Sequence, residues 1–269
     1  MPVITISRGS YSKGKEVAEK VAQKLGYKCI SREVLLEASE EFNISEIKLI
    51  RAIHDSPSIL DSFSCGKERY IAYIQAALLG HFQKDNVIYH GLAGHFFVKD
   101  IPHVLKVRII ADLESRVRLE MEREKIAEKD ALKILKKDDE ERIKWSRHLY
   151  GIDTRDSSLY DLVIHIHKIT VQDAVDIICH TVNLKDFQTT PETKKAMDDL
   201  ALAAQVKAAL MGIKSDIHVT AKNGEVSVTT NAPYVQEKAL TNEIEKIGKR
   251  IPGVKDIKTK VIPFRPYSE

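Results

Sequence analysis

The chain has 269 residues, of which 43% are hydrophobic and 30% charged, with 42 Lys and Arg against 39 Asp and Glu for a net charge of +3. That length holds one large or two ordinary domains, and the interspersed, nearly balanced charge argues against a chain-wide basic field of the kind that coats nucleic acid. Three scattered cysteines, Cys29, Cys65 and Cys179, argue against a disulfide framework or a zinc knuckle; no apolar run approaches the roughly 18 residues of a membrane span, and the N-terminus shows no signal-peptide pattern, so a cytoplasmic location is expected and a membrane partner is not.

In chain order, short apolar runs predict strands at Val3–Ser7, Lys28–Ile30, Asn86–His90, Val104–Ile110 and Leu162–His167. Helical spacing predicts helices between them at Lys15–Leu25, Arg32–Phe42, Ser45–His54, Lys67–Gln83, Leu113–Ala127, Glu128–Leu149 and Val171–Val182. Such alternation predicts an α/β unit over residues 1–183, a parallel sheet with helices on both faces that binds its ligand at the carboxyl ends of the strands. Asn183 to Glu192 loses periodicity and reads as a linker. Beyond it a helix at Thr193–Met211, alternating residues around an Asn223-Gly224 turn, a helix at Gln236–Arg250, a Pro252-Gly253 break and a last strand at Val254–Ile262 predict a small α+β domain over 193–264 in the order αββαβ.

The first strand runs into Gly9-Ser10-Tyr11-Ser12-Lys13-Gly14-Lys15, which fits the phosphate-loop spacing G-x-x-x-x-G-K. Strand, tight loop and helix aim several backbone N–H groups and the positive helix end at one point, while the Lys15 ammonium reaches the outer phosphates of a nucleotide. The residue after the lysine, ordinarily a Ser or Thr that brings a hydroxyl to Mg²⁺, is Glu16, which either holds the metal through water or repels phosphate. Gly9, Ser10, Ser12, Lys13, Gly14, Lys15 and Glu16 are therefore the candidate nucleotide-binding residues.

Further blocks stand in order along the N-terminal unit: Ile4-Thr5-Ile6-Ser7-Arg8 leading into Gly14-Lys15-Glu16-Val17-Ala18, then Leu25-Gly26, Ser31-Arg32-Glu33-Val34-Leu35, Val107-Arg108-Ile109-Ile110-Ala111 with Arg116, the pair Asp139 and Arg142, and Ser158-Leu159-Tyr160-Asp161-Leu162-Val163-Ile164. Through these blocks the unit resembles the cytidylate-kinase-like branch of the nucleoside monophosphate kinases. The resemblance implies a P-loop kinase-type fold, ATP with Mg²⁺ at the loop, a monophosphate acceptor beside it and a mobile arginine-bearing lid. On it Lys15, Arg116 and Arg142 are catalytic, and Arg32, Gly91, Asp139 and Arg142 face the acceptor. Phosphoryl transfer calls for that inventory, because catalysis is mostly positioning plus stabilisation of charge on the equatorial oxygens.

Other readings of these residues stay open at this stage. Arg32 also reads as a solvated arginine in a first helical turn. Arg116, Arg118 and Arg123 are interleaved with Glu120, Glu122 and Glu124, as in a salt-bridged exposed helix pair, and Asp139 and Arg142 have the spacing of a bare i, i+3 ion pair. Where the family carries a Gly-Arg pair after the third strand, this chain has His90-Gly91-Leu92-Ala93-Gly94-His95, and leucine binds no phosphate. His90 or His95 could stand in as a donor. With that arginine and the magnesium hydroxyl both missing, a degenerate kinase that senses nucleotide without turnover is the alternative to an enzyme. His165 and His167 share a strand face, compatible with a metal pair or with a merely polar edge, and no metal ligands are assigned. Residues 194 to 263 resemble the BON domain through Ala204 to Leu210, the Ile217-x-Val-x-Ala strand, Asn223-Gly224-Glu225-Val226 and Ile251-Pro252-Gly253-Val254-Lys255. That resemblance implies a small-ligand or protein partner for the second unit, or a purely structural appendage.

Overall fold

A computed structural model of the chain describes residues 2–9, 12–31, 34, 38, 40, 67–91 and 94–264. They form two compact units, one from residues 1–62 and 84–190 and the other from 63–83 and 191–269.

The first unit is a five-stranded parallel sheet in the order β2-β3-β1-β4-β5, built from β1 (Val3–Arg8), β2 (Lys28–Ile30), β3 (Val87–His90), β4 (Val104–Ala111) and β5 (Leu162–Ile166). Its central strand is the first in the chain, so β1 is covered on both faces, and its residues 3 to 7 are all buried. Helix α1 (Gly14–Leu25) lays Val17, Ala18, Val21 and Ala22 on the sheet, because positions 3, 4 and 7 apart share one helical face. They meet Ile4, Ile6, Ile88, Leu105, Val107, Ile109 and Ile164 in one core with Ala174, Val175, Ile178 and Val182 of the later helix Val171–Val182. Each large side chain fully removed from water there contributes about 1.5–3 kcal/mol. Gly26, at φ 69, stops α1 and donates its N–H to Ala22 O.

Strand β1 lies in register between β3 and β4, with Ile6 opposite His90 and Ser7 opposite Arg108. All five strands run the same way, so the loop after β1, the turn after β3 and the segments after β4 and β5 emerge at one edge of the sheet. Among the described residues, the helices bounded between β2 and β4 are α2 (Lys67–Phe82), which belongs to the second unit, and α3 (Gly94–Phe97), a single turn that helical spacing did not predict. Past β4 come α4 (Leu113–Glu124) and α5 (Glu128–Tyr150), packed on each other through Val117, Ala131 and Leu135, and after β5 comes α6 (Val171–Val182). The expected helices over 32–42 and 45–54 lie outside the described residues, apart from helical Val34, Ala38 and Glu40.

The linker expected over Asn183–Glu192 is mostly structured. Asn183 Nδ2 donates to Cys179 O at 2.7 Å, residues Lys185–Phe187 make a turn whose Phe187 packs on the sheet core, and Gln188 Nε2 donates to Val182 O at 2.9 Å. The proline that read as a loop signal is the first residue of α7 (Pro191–Leu210), where its fixed φ suits a helix and its missing N–H costs nothing.

In the second unit α2 packs along α7, and β6 (His218–Lys222), β7 (Glu225–Pro233), α8 (Glu237–Gly248) and β8 (Asp256–Phe264) complete the αββαβ order. The sheet order is β6-β7-β8, antiparallel then parallel. Asn223 at φ 60 and Gly224 at φ 87 form the two-residue hairpin turn that needs two left-handed residues. Val206, Leu210, Ile217, Val226, Val228, Ile244 and Ile257 fill its core.

Candidate functional site

The loop between β1 and α1 is fastened at three points. Gly9 N donates to Ile109 O at 3.3 Å, and Ser12, fully buried, places its hydroxyl 3.1 Å from Gly9 O and 3.0 Å from Ile109 O, so its single proton is shared between carbonyls that tie the loop to β4. Gly14 sits against Arg8, and a Cβ at that position would lie 2.7 Å from Arg8 Cβ. Lys13 caps α1 in the left-handed region, at φ 61 and ψ 11, a conformation that costs an L side chain about 1–2 kcal/mol. The backbone is thus bent so that α1 begins at the sheet edge with its first N–H groups unpaired within the helix.

Lys15 is mostly exposed and 3.7 Å from Glu19, while Glu16 is 2.9 Å from Lys20. Exposed pairs of this kind are worth less than about 1 kcal/mol, so both side chains are free to be recruited. Ser10 and Arg32 lie outside the described residues, as does Leu92.

Beside the loop is a cavity of about 250 Å³ whose wall carries Arg8, Arg108, Arg116, Arg142 and Arg155 against one carboxylate, Asp139. Arg116 comes from α4 and Asp139 from α5, and one guanidinium nitrogen spans both carboxylate oxygens at 2.9 and 2.8 Å. Asp139 therefore pairs with Arg116 and leaves its i+3 neighbour Arg142 to donate to Arg8 O at 3.1 Å. Burial, and then the charge of Arg8, pull Arg142 below the usual guanidinium range. The lining residues thus bring several guanidinium groups to one place, and guanidinium forks suit an incoming oxyanion. Arg155 is anchored at the rim by Asp153, at 2.7 Å from Nη2, and Arg147 reaches the same carboxylate at 2.7 Å. The Arg155 hydrogen bonds, foremost, hold the Asp153 carboxyl well below the usual carboxylate range.

A buried polar hub joins this wall to the turn after β3. Tyr160 Oη lies 3.2 Å from His95 Nε2, 3.3 Å from Ser7 Oγ and 3.0 Å from Thr154 O, and Arg108 stacks on the Tyr160 ring at 5.5 Å. Burial first, and then Arg108 and Lys106, push the His95 imidazole down to about 3. It is neutral at physiological pH and supplies no positive charge. The space over Gly91 is taken up by the Tyr89 ring, since a Cβ there would meet Tyr89 Oη at 2.4 Å.

Arg116 also lines a slot of about 120 Å³, together with Lys13, Ala111, Ser115, Leu119, Ile166 and His167. His165 and His167 do share a face, yet each is turned to one acceptor, Asp112, at 3.0 and 2.7 Å. No metal-binding cluster occurs among the described residues. Of the predicted site residues, Gly9, Ser12, Arg116, Asp139 and Arg142 meet around the cavity. Arg8, Arg108 and Arg155 join them from positions whose sequence spacing carries no signal.

This site stands within a stretch, residues 3–168, that matches the Cytidylate kinase-like family over more than half of the chain. The chain belongs to that family. A cytidylate kinase of Methanosarcina acetivorans is 36% identical over 100 residues, which are 36% of this chain and 54% of that protein, so the match spans about half the length of that relative. A cytidylate kinase of Sulfolobus acidocaldarius is 26% identical over 188 residues, 69% of this chain and 97% of its own. The family's fold recurs in the crystal structure of an uncharacterized protein from Eubacterium ventriosum, with a TM-score of 0.52, 23% identity, and coverage of 69% of this chain and all of that one. Among the described residues no helix is long and apolar enough to cross a membrane.

Proposed function

We propose that this member of the Cytidylate kinase-like family transfers the γ-phosphoryl group of ATP, with Mg²⁺, to a nucleoside monophosphate such as CMP or to a related small acceptor. The observation that carries the reading is the arginine-walled cavity set against the loop between β1 and α1. Its cluster of guanidinium groups suits a polyphosphate, and the first N–H groups of α1 suit an oxyanion. When bound, ATP supplies the phosphoryl group and Mg²⁺ neutralises its outer oxygens. The backbone of residues 12–15 and the Lys15 ammonium hold the phosphates in line. Arg116 and Arg142 sit on the lid helices α4 and α5, and in this reading they stabilise the charge that spreads over the equatorial oxygens. Asp139 orients Arg116, and Arg32 and the Gly91 turn belong to the acceptor side.

One observation favours a second reading, a nucleotide sensor without efficient turnover. Glu16 stands in the place of the magnesium hydroxyl and brings a carboxylate there, which repels phosphate unless a cation intervenes. In that case a BON-like second unit, taken as residues 193–264, carries the response to a small ligand or a protein partner.

A coupled assay of ADP production with CMP, UMP, dCMP and AMP, on the native chain and on Lys15→Ala, separates the two. Turnover that vanishes with Lys15 supports the kinase. ATP binding without turnover on any monophosphate supports the sensor, and no uptake of ATP overturns both.

A further inference from the structure

We infer that Arg108 is the guanidinium that grips the phosphate of the acceptor, and that Tyr160 is the positioning residue that aims it. The inference rests on the kinase reading above and goes beyond it by assigning a residue that neither loop spacing nor the lid helices supply.

Arg108 is set in the sheet, on β4, rather than on α4 or α5. It faces Ser7 across the β1–β4 ladder, at the edge where the phosphate loop begins, and it lines the cavity together with Ser7, Gly9 and Ser12. Its Nη1 donates to Thr154 O and, at 3.2 Å, to Tyr160 Oη, which uses both hydrogens of that nitrogen. Nε–H and the two Nη2 hydrogens have no partner among the described residues. A planar guanidinium pinned through one nitrogen, with the rest of its fork uncommitted, is prepared for bidentate binding of a phosphate.

The same guanidinium lies over the Tyr160 ring, and Tyr160 is itself fixed by Ser7, His95 and Thr154. Through His95 this hub reaches the turn after β3, on the opposite side of β1 from β4 and β5. Arg116 and Arg142 approach the cavity from α4 and α5, and Arg142 is tied to Arg8 O at the mouth of the loop. The arginines therefore approach from two directions. Phosphoryl transfer needs two phosphates side by side, one on the loop and one facing it, and Arg108 is the cation held for the second.

The test is calorimetric titration of CMP into chain saturated with ADP, for the native chain, Arg108→Met, Arg108→Lys and Tyr160→Phe, after a separate titration of ADP into each. Loss of a charge-assisted pair to phosphate is expected to weaken CMP about 10-fold or more in Arg108→Met, with Arg108→Lys falling between it and the native chain. Tyr160→Phe keeps the ring and removes the hydrogen bond, and it is expected to weaken CMP by about 3- to 5-fold. ADP affinity stays within about 2-fold throughout, a split that general loss of structure does not produce. CMP affinity unchanged in Arg108→Met, CMP and ADP weakened alike in all three variants, or no uptake of CMP by native chain that binds ADP each overturns the assignment of Arg108 alone. No uptake of ADP by the native chain brings down the kinase reading and this inference with it.

Discussion

Lowering the pH from 7 to 5 is expected to cost the folded chain about 2 kcal/mol through His95 alone. The imidazole is 4% exposed, lies against Tyr160, and is pushed down to about 3 by burial and by Arg108 and Lys106, whereas in the unfolded chain it titrates near the ordinary value of about 6.5. Because the folded value is the lower one, the unfolded chain takes up the proton first. The contribution is intact above about pH 6.5, falls by about 1.4 kcal/mol per unit below it, and is spent near pH 3. Between pH 7 and 5 that amounts to about 1.5 units, hence the 2 kcal/mol. Urea unfolding at both pH values, on the native chain and on His95→Gln, isolates the effect, since every carboxylate that also titrates is common to the two proteins. The native chain should lose about 2 kcal/mol more than the variant over the interval. Equal losses would refute the claim that a neutral, buried imidazole sits in this hub.

Three further outcomes follow from the loop and from the packing of α4 on α5. Gly14→Ala lies within a helix, where alanine ordinarily stabilises, yet it is expected to lose about 1–3 kcal/mol in thermal unfolding because the added methyl meets Arg8 Cβ at 2.7 Å; a gain in Tm would sink the packing argument. Lys13→Gly removes left-handed strain at φ 61 and should raise the unfolding free energy measured by urea titration by about 0.5–1 kcal/mol net of the extra freedom of the unfolded chain. Asp139→Asn strips the carboxylate from largely buried Arg116 and is expected to cost about 1–3 kcal/mol in buffer. Added ATP should restore part of that loss in a thermal shift assay, by giving the guanidinium a new anion.

Periodicity made most elements readable in advance. Val17, Ala18, Val21 and Ala22 announce α1 because a helix repeats its buried face, and the alternation around Asn223-Gly224 announces β6 and β7 because a hairpin with one buried face must alternate. The turn α3 was invisible, since four residues are too few to repeat anything. Pro191 misled because one residue type both breaks chains and opens helices. At the site, the loop was legible as a contiguous motif, and Arg116 and Arg142 through a family resemblance. Arg8, Arg108 and Arg155 were not, because they converge from three separate segments, the first two through the parallel register of β1 and β4 and the third from the turn before β5. The Asp139 partner shows the same limit, since spacing favoured Arg142 and the packing of α4 on α5 supplied Arg116 from 23 residues away.

Helix α2 is encoded between the strands of the first unit yet belongs to the second, where it packs along α7. No single scission can therefore release the second unit whole, and a gene shortened before codon 191 would strand α2 with Leu78, Leu79 and Phe82 deprived of the companion helix. The C-terminal region is not a detachable cassette. The second unit is whole only when residues 63–83 and 191–269 are both present.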